Sequence, residues 1–577
     1  MLRNVYWSRI RAPIDGARLR LPVIQVWGIM VSARKGLLAV LALAACPGLA
    51  LAQDGAQPQP APGQHAPDRF AIEAIDVLGV TILPPAAIEK IIYDYTGPDR
   101  TAADVEAARK AIQDAYAARG YEAVVVEIPE QPTELFAQGV VQIKVSEAPV
   151  GRIRVTESRY HALSTVREQM PSVKEGQPLD LRALQADLDD ANRFPDRQVT
   201  PSFKPGIVPG TVDVDLRVQD TLPVHANLEL NNDNSPSTTD LRLSGGVRYT
   251  NLWQAGHSIG ANFVIAPRST KESTVVSGSY TAPLIGSPWT LLLYGYWSNS
   301  DVAALGGSNV LGNGYQIGAR AIYRLPSKTL FQSISFGPDF KDFKQNIFVA
   351  GQLAGTAPIR YIPIVAEYSL SGGGERTQFD ASLGVTAGLR AIKKIRCVEV
   401  APNAPCVPVD QFNNREIDSN ENFVHLNASA NFSFSTKSDF VGAIRLTGQF
   451  ADSHLVTNEQ FSIGGLSSLR GYFQSEAVGD HGASLSLELR SPSAATLFGS
   501  FVDELRVFAF ADGGYAHVLR ALPEQQDDFT LVSVGGGARI RLLNYFSGEV
   551  MAGVPLRDGP VSKAGDPRVI FVVKGEF

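Results

Sequence analysis

From Leu222 to the end of the chain, apolar and polar side chains alternate with period two. Between Phe379 and Leu389 every odd position is apolar or aromatic, with Asp380, Ser382, Gly384, Thr386 and Gly388 between them. Val424, Leu426, Ala428, Ala430, Phe432 and Phe434 do the same against His425, Asn427, Ser429, Asn431 and Ser433. This period marks strands with one face in an apolar environment. Sixteen such segments are predicted between 224–231 and 567–577, among them 357–370, 439–453, 483–491 and 503–513. A soluble sandwich shares the signature, but 355 residues (223–577) with hardly a helical segment suit a transmembrane barrel. In lipid every strand edge must be paired, so the sheet has to close. Short connections (326–328, 436–438) alternate with long ones (391–420, 454–482), as periplasmic turns alternate with exterior loops.

Ahead of the barrel the pattern changes to two modules of one plan: strand, helix, helix, strand, strand. In the first (70–148), a strand runs from Phe70 to Leu78 and a helix from Pro84 to Tyr93. A second helix begins at Thr101, with Asp104 completing its cap and Val105, Ala108, Ile112 and Tyr116 forming its apolar stripe. Gly120 ends it, and strands follow at Tyr121–Ile128 and Val140–Val145. The second module (149–222) repeats the order, with strands through Ile153 and Val155, helices near Ala162–Met170 and Leu181–Leu188, then strands Thr200–Phe203 and Val212–Val218. Residues 53–69 are a Pro/Gln/Ala-rich linker whose prolines argue against a helix.

Residues 1–52 form a signal-peptide region. Ala33-Arg34-Lys35 supplies positive charge, Gly36–Ala45 a short apolar core, and Ala50-Leu51-Ala52 a small-x-small cleavage site. Met30 makes a better start than Met1. Leu43-Ala44-Ala45-Cys46 also fits a lipoprotein box, an alternative to cleavage after Ala52. Cys397 and Cys406, in a predicted exterior loop, are expected to form a disulfide; a metal pair is the other reading, with no His or Cys nearby to complete it.

Composition removes function classes more than it adds them. A net charge of −6 without blocks of like charge gives no footprint for nucleic acid. Gly256-His257-Ser258-Ile259-Gly260 matches a nucleophile elbow, yet a strand follows where a helix is required. Gly312–Gly318 is one residue too long for a dinucleotide loop, and the eight histidines have no metal-ligand spacing. The expectation is no enzyme, no cofactor and no metal.

Two charges stand out. In 503–513, Leu505, Val507, Ala509 and Ala511 share the lipid-facing parity; Arg506, Phe508, Phe510 and Asp512 share the other. Asp512 is therefore an inward carboxylate. The loop 454–482 holds Phe461-Ser462-Ile463-Gly464-Gly465-Leu466-Ser467-Ser468-Leu469-Arg470-Gly471-Tyr472. If it folds inward, Arg470 needs a partner, because an unpaired charge in a restricted interior is costly. The plainer alternatives are a solvated lumen carboxylate and an exposed loop arginine.

Arg-Gly-Tyr in the sixth exterior loop of a sixteen-strand barrel, preceded by two such modules, resembles the Omp85 superfamily with its POTRA domains. Two modules, with Asn192-Arg193-Phe194-Pro195 followed by Lys204-Pro205-Gly206-Ile207-Val208-Pro209-Gly210, resemble the TpsB transporters of two-partner secretion, the hemolysin secretion/activation type. The resemblance implies that loop six folds into the barrel and that Arg470 pairs with Asp512. Gly471 would permit a tight turn and Tyr472 would pack the tip on the wall. It further implies POTRA domains in the periplasm that bind an unfolded exoprotein of TpsA type, at an exposed edge such as Val124, Val125, Val126 and Ile128. The exoprotein would cross the outer membrane extended and fold outside. Outer-membrane lipids, and the barrel assembly machinery reached through the strand ending in Phe577, complete the expected partners. Members of this family often carry a plug helix, which the 53–69 stretch does not suit. An insertase or assembly factor for outer-membrane proteins is the alternative within the superfamily, and a binding or uptake barrel the alternative outside it.

Overall fold

The computed structural model describes residues 69–577 except 195, 237, 301, 306–307, 312, 328, 345, 350–351, 390–395, 399–406 and 524. The signal region and the linker up to residue 68 lie outside the described residues, as does Cys406; Cys397 sits in the short strand Arg396–Val398, of whose side chains nothing is described. Two compact units divide at residue 148/149, the first module on one side and everything from Pro149 on the other.

In the first module, Ala74–Leu78 and Val140–Ser146 pair in parallel and Val125–Glu127 adds antiparallel to the second of them. The helix Ala102–Ala117 starts in a capping box, the Thr101 N–H donating to Asp104 Oδ2 at 2.8 Å. Its stripe of Val105, Ala108, Ile112 and Tyr116 is buried against Ile75, Val126, Val141 and Ile143. Two elements were not legible: Gly97–Arg100, which pairs with Phe70–Ile72, and the short helix Thr133–Ala137. The strand predicted over Tyr121–Ile128 shrinks to Val125–Glu127, because the turn at Gly120 (φ +97°) uses the residues before it.

The second module repeats the scheme: Val150–Thr156 parallel to Val212–Asp220, and Arg197–Pro205 antiparallel to the latter, under helices Leu163–Glu168 and Leu181–Ala191. It is seated on the barrel's first periplasmic turn. Asp196 accepts a hydrogen bond from the Thr250 hydroxyl and lies 2.8 Å from His225 Nε2. The Ala162 N–H donates to Gln254 Oε1 at 2.9 Å, and Asn251 Nδ2 donates to the Tyr160 carbonyl at 3.1 Å. The Phe194 ring fills the space beside Gly256, where a Cβ would lie 2.0 Å from Cε1 and where φ is +67°. Only glycine suits that turn.

The barrel closes with sixteen strands, all neighbours antiparallel, from the first, Val224–Asn231, to the sixteenth, Arg568–Glu576. The seventh is Leu330–Lys344, the eighth runs as Ile359–Tyr361 and Pro363–Gly373, and the tenth, eleventh and fifteenth are Val424–Ser435, Val441–Ala451 and Phe546–Pro555. Arg568–Glu576 returns to Val224–Asn231 through Val572↔Asn231 to Glu576↔Asn227. Phe577 and Ala226 then exchange backbone hydrogen bonds of 2.8 and 2.9 Å. The predicted parity appears in the side chains: Val507, Leu426 and Ile317 are exposed on the outer wall, whereas Phe508, Phe510 and Asp512 are buried inside. Strand thirteen is longer than 503–513, running Val502–His517. Among the described residues no helix is long and apolar enough to cross a membrane.

Candidate functional site

The site is built where loop six meets the inner wall. Strand twelve, His481–Arg490, points Leu485, Leu487 and Leu489 outward and therefore Ser486 and Glu488 inward; strand thirteen does the same for Phe510 and Asp512. Ser486 and Asp512 are direct cross-strand partners, as are Glu488 and Phe510. The four side chains form a compact acidic and aromatic patch.

Arg470 occupies that patch. Its Nε donates to Asp512 Oδ2 at 2.9 Å and its Nη2 to Asp512 Oδ1 at 2.8 Å, a bidentate pair. The Arg470 backbone N–H also donates to Asp512 Oδ2 at 2.9 Å, so one carboxylate holds both side chain and main chain. Nη1 is paired with Glu488, and Nη2 reaches Ser486 Oγ at 2.9 Å. The guanidinium lies 3.8 Å from the centroid of the Phe510 ring, within cation–π range. Both charges are buried, Asp512 at 2% exposure and Arg470 at 6%. Removing one member of such a pair costs about 3–5 kcal/mol, because the other stays buried and uncompensated.

The tip beyond Arg470 is seated as closely. Gly471 has φ +102° and touches Gly553 of strand fifteen so tightly that a Cβ on Gly553 would lie 2.7 Å from the Gly471 nitrogen. The Tyr472 hydroxyl lies 2.9 Å from the carbonyl oxygens of Val532 and Arg557, and the ring is fully buried. Arg568 of strand sixteen donates to the Tyr472 carbonyl at 2.6 Å and to Asn234 Oδ1 at 2.6 Å, and stacks on Phe473 at 4.3 Å. Asp233, beyond strand one, accepts from the Leu466 N–H at 2.9 Å. The tip thus bridges the first and last strands. Glu476 completes it by accepting from the Phe473 and Ser562 N–H groups at 2.8 and 2.7 Å.

Parity and resemblance together pointed at Arg470, Gly471, Tyr472 and Asp512, and the fold brings all four to one place. Glu488 was missed, although the unbroken alternation of 483–490 already set it inward. Arg568, Asp233 and Glu476 carry no sequence signal, since their meeting depends on barrel closure.

The edge marked for partner binding is different. Val125–Glu127 is an edge strand, but its outward backbone groups are occupied. Gln113 Nε2 donates to the Val124 carbonyl at 2.6 Å, the Val126 N–H donates to Gln113 Oε1 at 3.0 Å, and Arg109 Nη1 donates to the Val126 carbonyl at 3.1 Å. The side chains of Val124 and Val126 are buried in the module core; Val125 and Ile128 are exposed. The helix alongside supplies what a docking strand would offer. Among the described residues no His/Cys/Asp/Glu group could hold a metal.

A closed sixteen-strand barrel with its sixth exterior loop locked inside, behind POTRA-type modules, defines an outer-membrane transport pore of the Omp85 type. A profile of the haemolysin secretion/activation proteins ShlB/FhaC/HecB matches residues 210–540, more than half of the chain, and the ShlB-type POTRA domain matches residues 70–148. The chain belongs to this family, the TpsB transporters of two-partner secretion. It is 24% identical over 510 residues to the outer membrane transporter CdiB of Escherichia coli, covering 86% of this chain and 81% of that protein. Against CdiB of Dickeya dadantii strain 3937 the identity is 24% over 450 residues, with 73% and 71% covered. The solved structure of CdiB from Escherichia coli shares the fold, with a TM-score of 0.60 at 20% identity over 90% of this chain and 93% of that one. The protein is an outer-membrane two-partner secretion pore with its POTRA domains in the periplasm.

Proposed function

We propose that the seated loop six is the closed state of this secretion pore, and that each export cycle of the partner exoprotein requires Arg470 to leave Asp512 and Glu488 and to seat on them again. The observation that carries this is the burial of a bidentate Arg470–Asp512 clamp, with Glu488 beside it, between a loop and the lumen wall. A charge cluster of this kind is weak evidence for stability, since apolar packing would serve as well. It suits an element that must be held in one place and released. The periplasmic modules collect the unfolded exoprotein, which crosses extended and folds outside, and that folding draws the chain through. The outer wall meets outer-membrane lipid, and the strand ending in Phe577 is the segment by which the barrel assembly machinery receives the protein.

Arg470→Ala is expected to abolish secretion, measured as exoprotein in the culture medium, while the barrel keeps its membrane level and heat-modifiable mobility. Wild-type export by that variant would overturn the role. The profile match places the chain with secretion proteins rather than with insertases, and the loss of a single exoprotein on deletion distinguishes the two. The Cys397–Cys406 bridge belongs to the same reading; alkylation of two free thiols under non-reducing conditions contradicts it.

A further inference from the structure

Loop six is held at a second place, eleven residues before Arg470 and on a different part of the wall. Glu459, in the short helical turn Thr457–Glu459, is buried. Lys341 Nζ of strand seven donates to Glu459 Oε1 at 2.6 Å, and the Tyr361 hydroxyl of strand eight donates to the same oxygen. His425 Nε2 of strand ten lies 3.3 Å from Oε2. The Glu459 main chain is held as well, its carbonyl accepting from Gln449 Nε2 of strand eleven at 2.9 Å. Lys341 and Tyr361 are cross-strand partners on the inner face, and His425 lies between the outward Val424 and Leu426. Four strands each contribute one inward polar group.

We infer that Glu459 is a positioning residue for secretion, a second anchor that makes loop six a strap tied at both ends across the lumen. Strands seven and eight stand half a turn round the barrel from strands fifteen and sixteen, where the tip is seated. Between the two anchors Phe461–Ile463 pairs with Ala477–Gly479, and Ile463 and Leu469 pack against Ala516 and Leu531 of the wall. Without Glu459, the stretch ahead of Arg470 would lose its tie to the wall around Lys341, Tyr361 and His425. Held also by Glu459, it must lose the buried Lys341–Glu459 pair as well as those of Arg470 before the lumen clears. Among the described residues the Lys341 ammonium meets this carboxylate and the Tyr361 ring, at 5.7 Å.

The inference rests on the reading that the seated loop closes the pore, and the experiment separates the two. Purified Glu459→Ala, Arg470→Ala and the paired Lys341→Met/Glu459→Met variant would be compared with the unaltered protein by single-channel recording in planar bilayers. The paired variant replaces a buried ion pair by apolar groups, a change the fold usually tolerates. Open events are expected to become at least about tenfold more frequent in all three, since one charge-assisted hydrogen bond contributes on that scale. Limited proteolysis should cut 454–462 in the Glu459 variants while the Arg470 segment stays protected. If Arg470→Ala opens the channel and both Glu459 variants behave as the unaltered protein, the second anchor is overturned and the gating reading stands. If none opens it, the gating reading falls and the second anchor with it.

Discussion

The two periplasmic modules share more than a strand order. Each has a carboxylate at the end of its last strand or one residue past it, and that carboxylate closes the loop after the first strand. In the first module Glu147 accepts from the Thr81 and Ile82 N–H groups at 2.9 and 3.0 Å, from the Thr81 hydroxyl and from the buried Tyr116 hydroxyl. In the second, Asp220 accepts from the Arg159 and Tyr160 N–H groups at 3.0 and 2.8 Å and from Ser158 Oγ at 2.8 Å. Each also lays a side-chain amide along its antiparallel edge strand: Gln113 on Val124 and Val126, and Asn192 on both backbone groups of Val199, at 3.0 and 2.6 Å. The difference lies in the residues that follow. Next to the Asn192 clamp, Phe194 packs beside Gly256 of the barrel turn and Asp196 accepts from Thr250 at the end of strand two, Arg242–Leu252, so the second module is part of the barrel's unit, whereas the first is compact by itself. One scaffold has been used twice, once as a base and once as a separate periplasmic unit.

The sharpest way to break that contrast is to unseat the base. Gly256→Leu should drive a side chain into Phe194 and into a left-handed backbone position, costing about 3 kcal/mol or more of the docking. Hydrogen exchange should quicken over 157–162 and 253–256 and stay unchanged over Ala102–Ala117. Equal quickening in the first module would show that the two are coupled.

Removing the carboxylates tests the likeness. Glu147→Ala leaves two N–H groups and the Tyr116 hydroxyl without their acceptor, an expected loss of about 2–3 kcal/mol within the first module. Asp220→Ala should loosen 157–162 by a comparable amount. pH reads the same groups. Burial pushes the Asp220 carboxyl up, but donation from Tyr160, Arg159, Ser158 and His161 holds it down at about 2. Glu147 is likewise held below its usual range against the effect of burial, by Thr81, Tyr116 and Ile82. Both pKa values are lowered in the folded state, so their stabilisation is complete above the ordinary carboxylate range near pH 4 and is lost as the pH falls below it. Protection of both loops should therefore be flat from pH 7 to pH 5 and fall in acid. A loss already at pH 6 would point to a histidine instead.

The smallest effect expected is at the edge strand. Gln113→Ala should cost about 1 kcal/mol and free the Val124–Val126 backbone. If an exoprotein strand docks there, capture by the periplasmic modules should tighten; unchanged capture would remove this edge from consideration.

The barrel, its strand number and the inward parity of Asp512 and Glu488 were legible in the sequence, because a strand with one face in lipid must alternate residue by residue. So was the long amphipathic helix of the first module, since a stripe at helical spacing and a capping pair are both local. The Arg-Gly-Tyr loop could be singled out but not placed: its partners lie 16 to 42 residues away along the chain and are met only when strands twelve and thirteen pair.

What the sequence determined by itself is the local grammar: which segments are strands, which face each side chain takes, where helices begin and end. Those properties follow from backbone geometry and from neighbours within a few residues. Tertiary structure alone decided that Gln113 closes the edge expected to be open, that Phe194 needs Gly256, and that Lys341 meets Glu459 across more than a hundred residues of chain. Each depends on closing the sheet and on side chains reaching groups that no local pattern relates. Burying a charge then leaves few options but to pair it, and the fold supplies the partner.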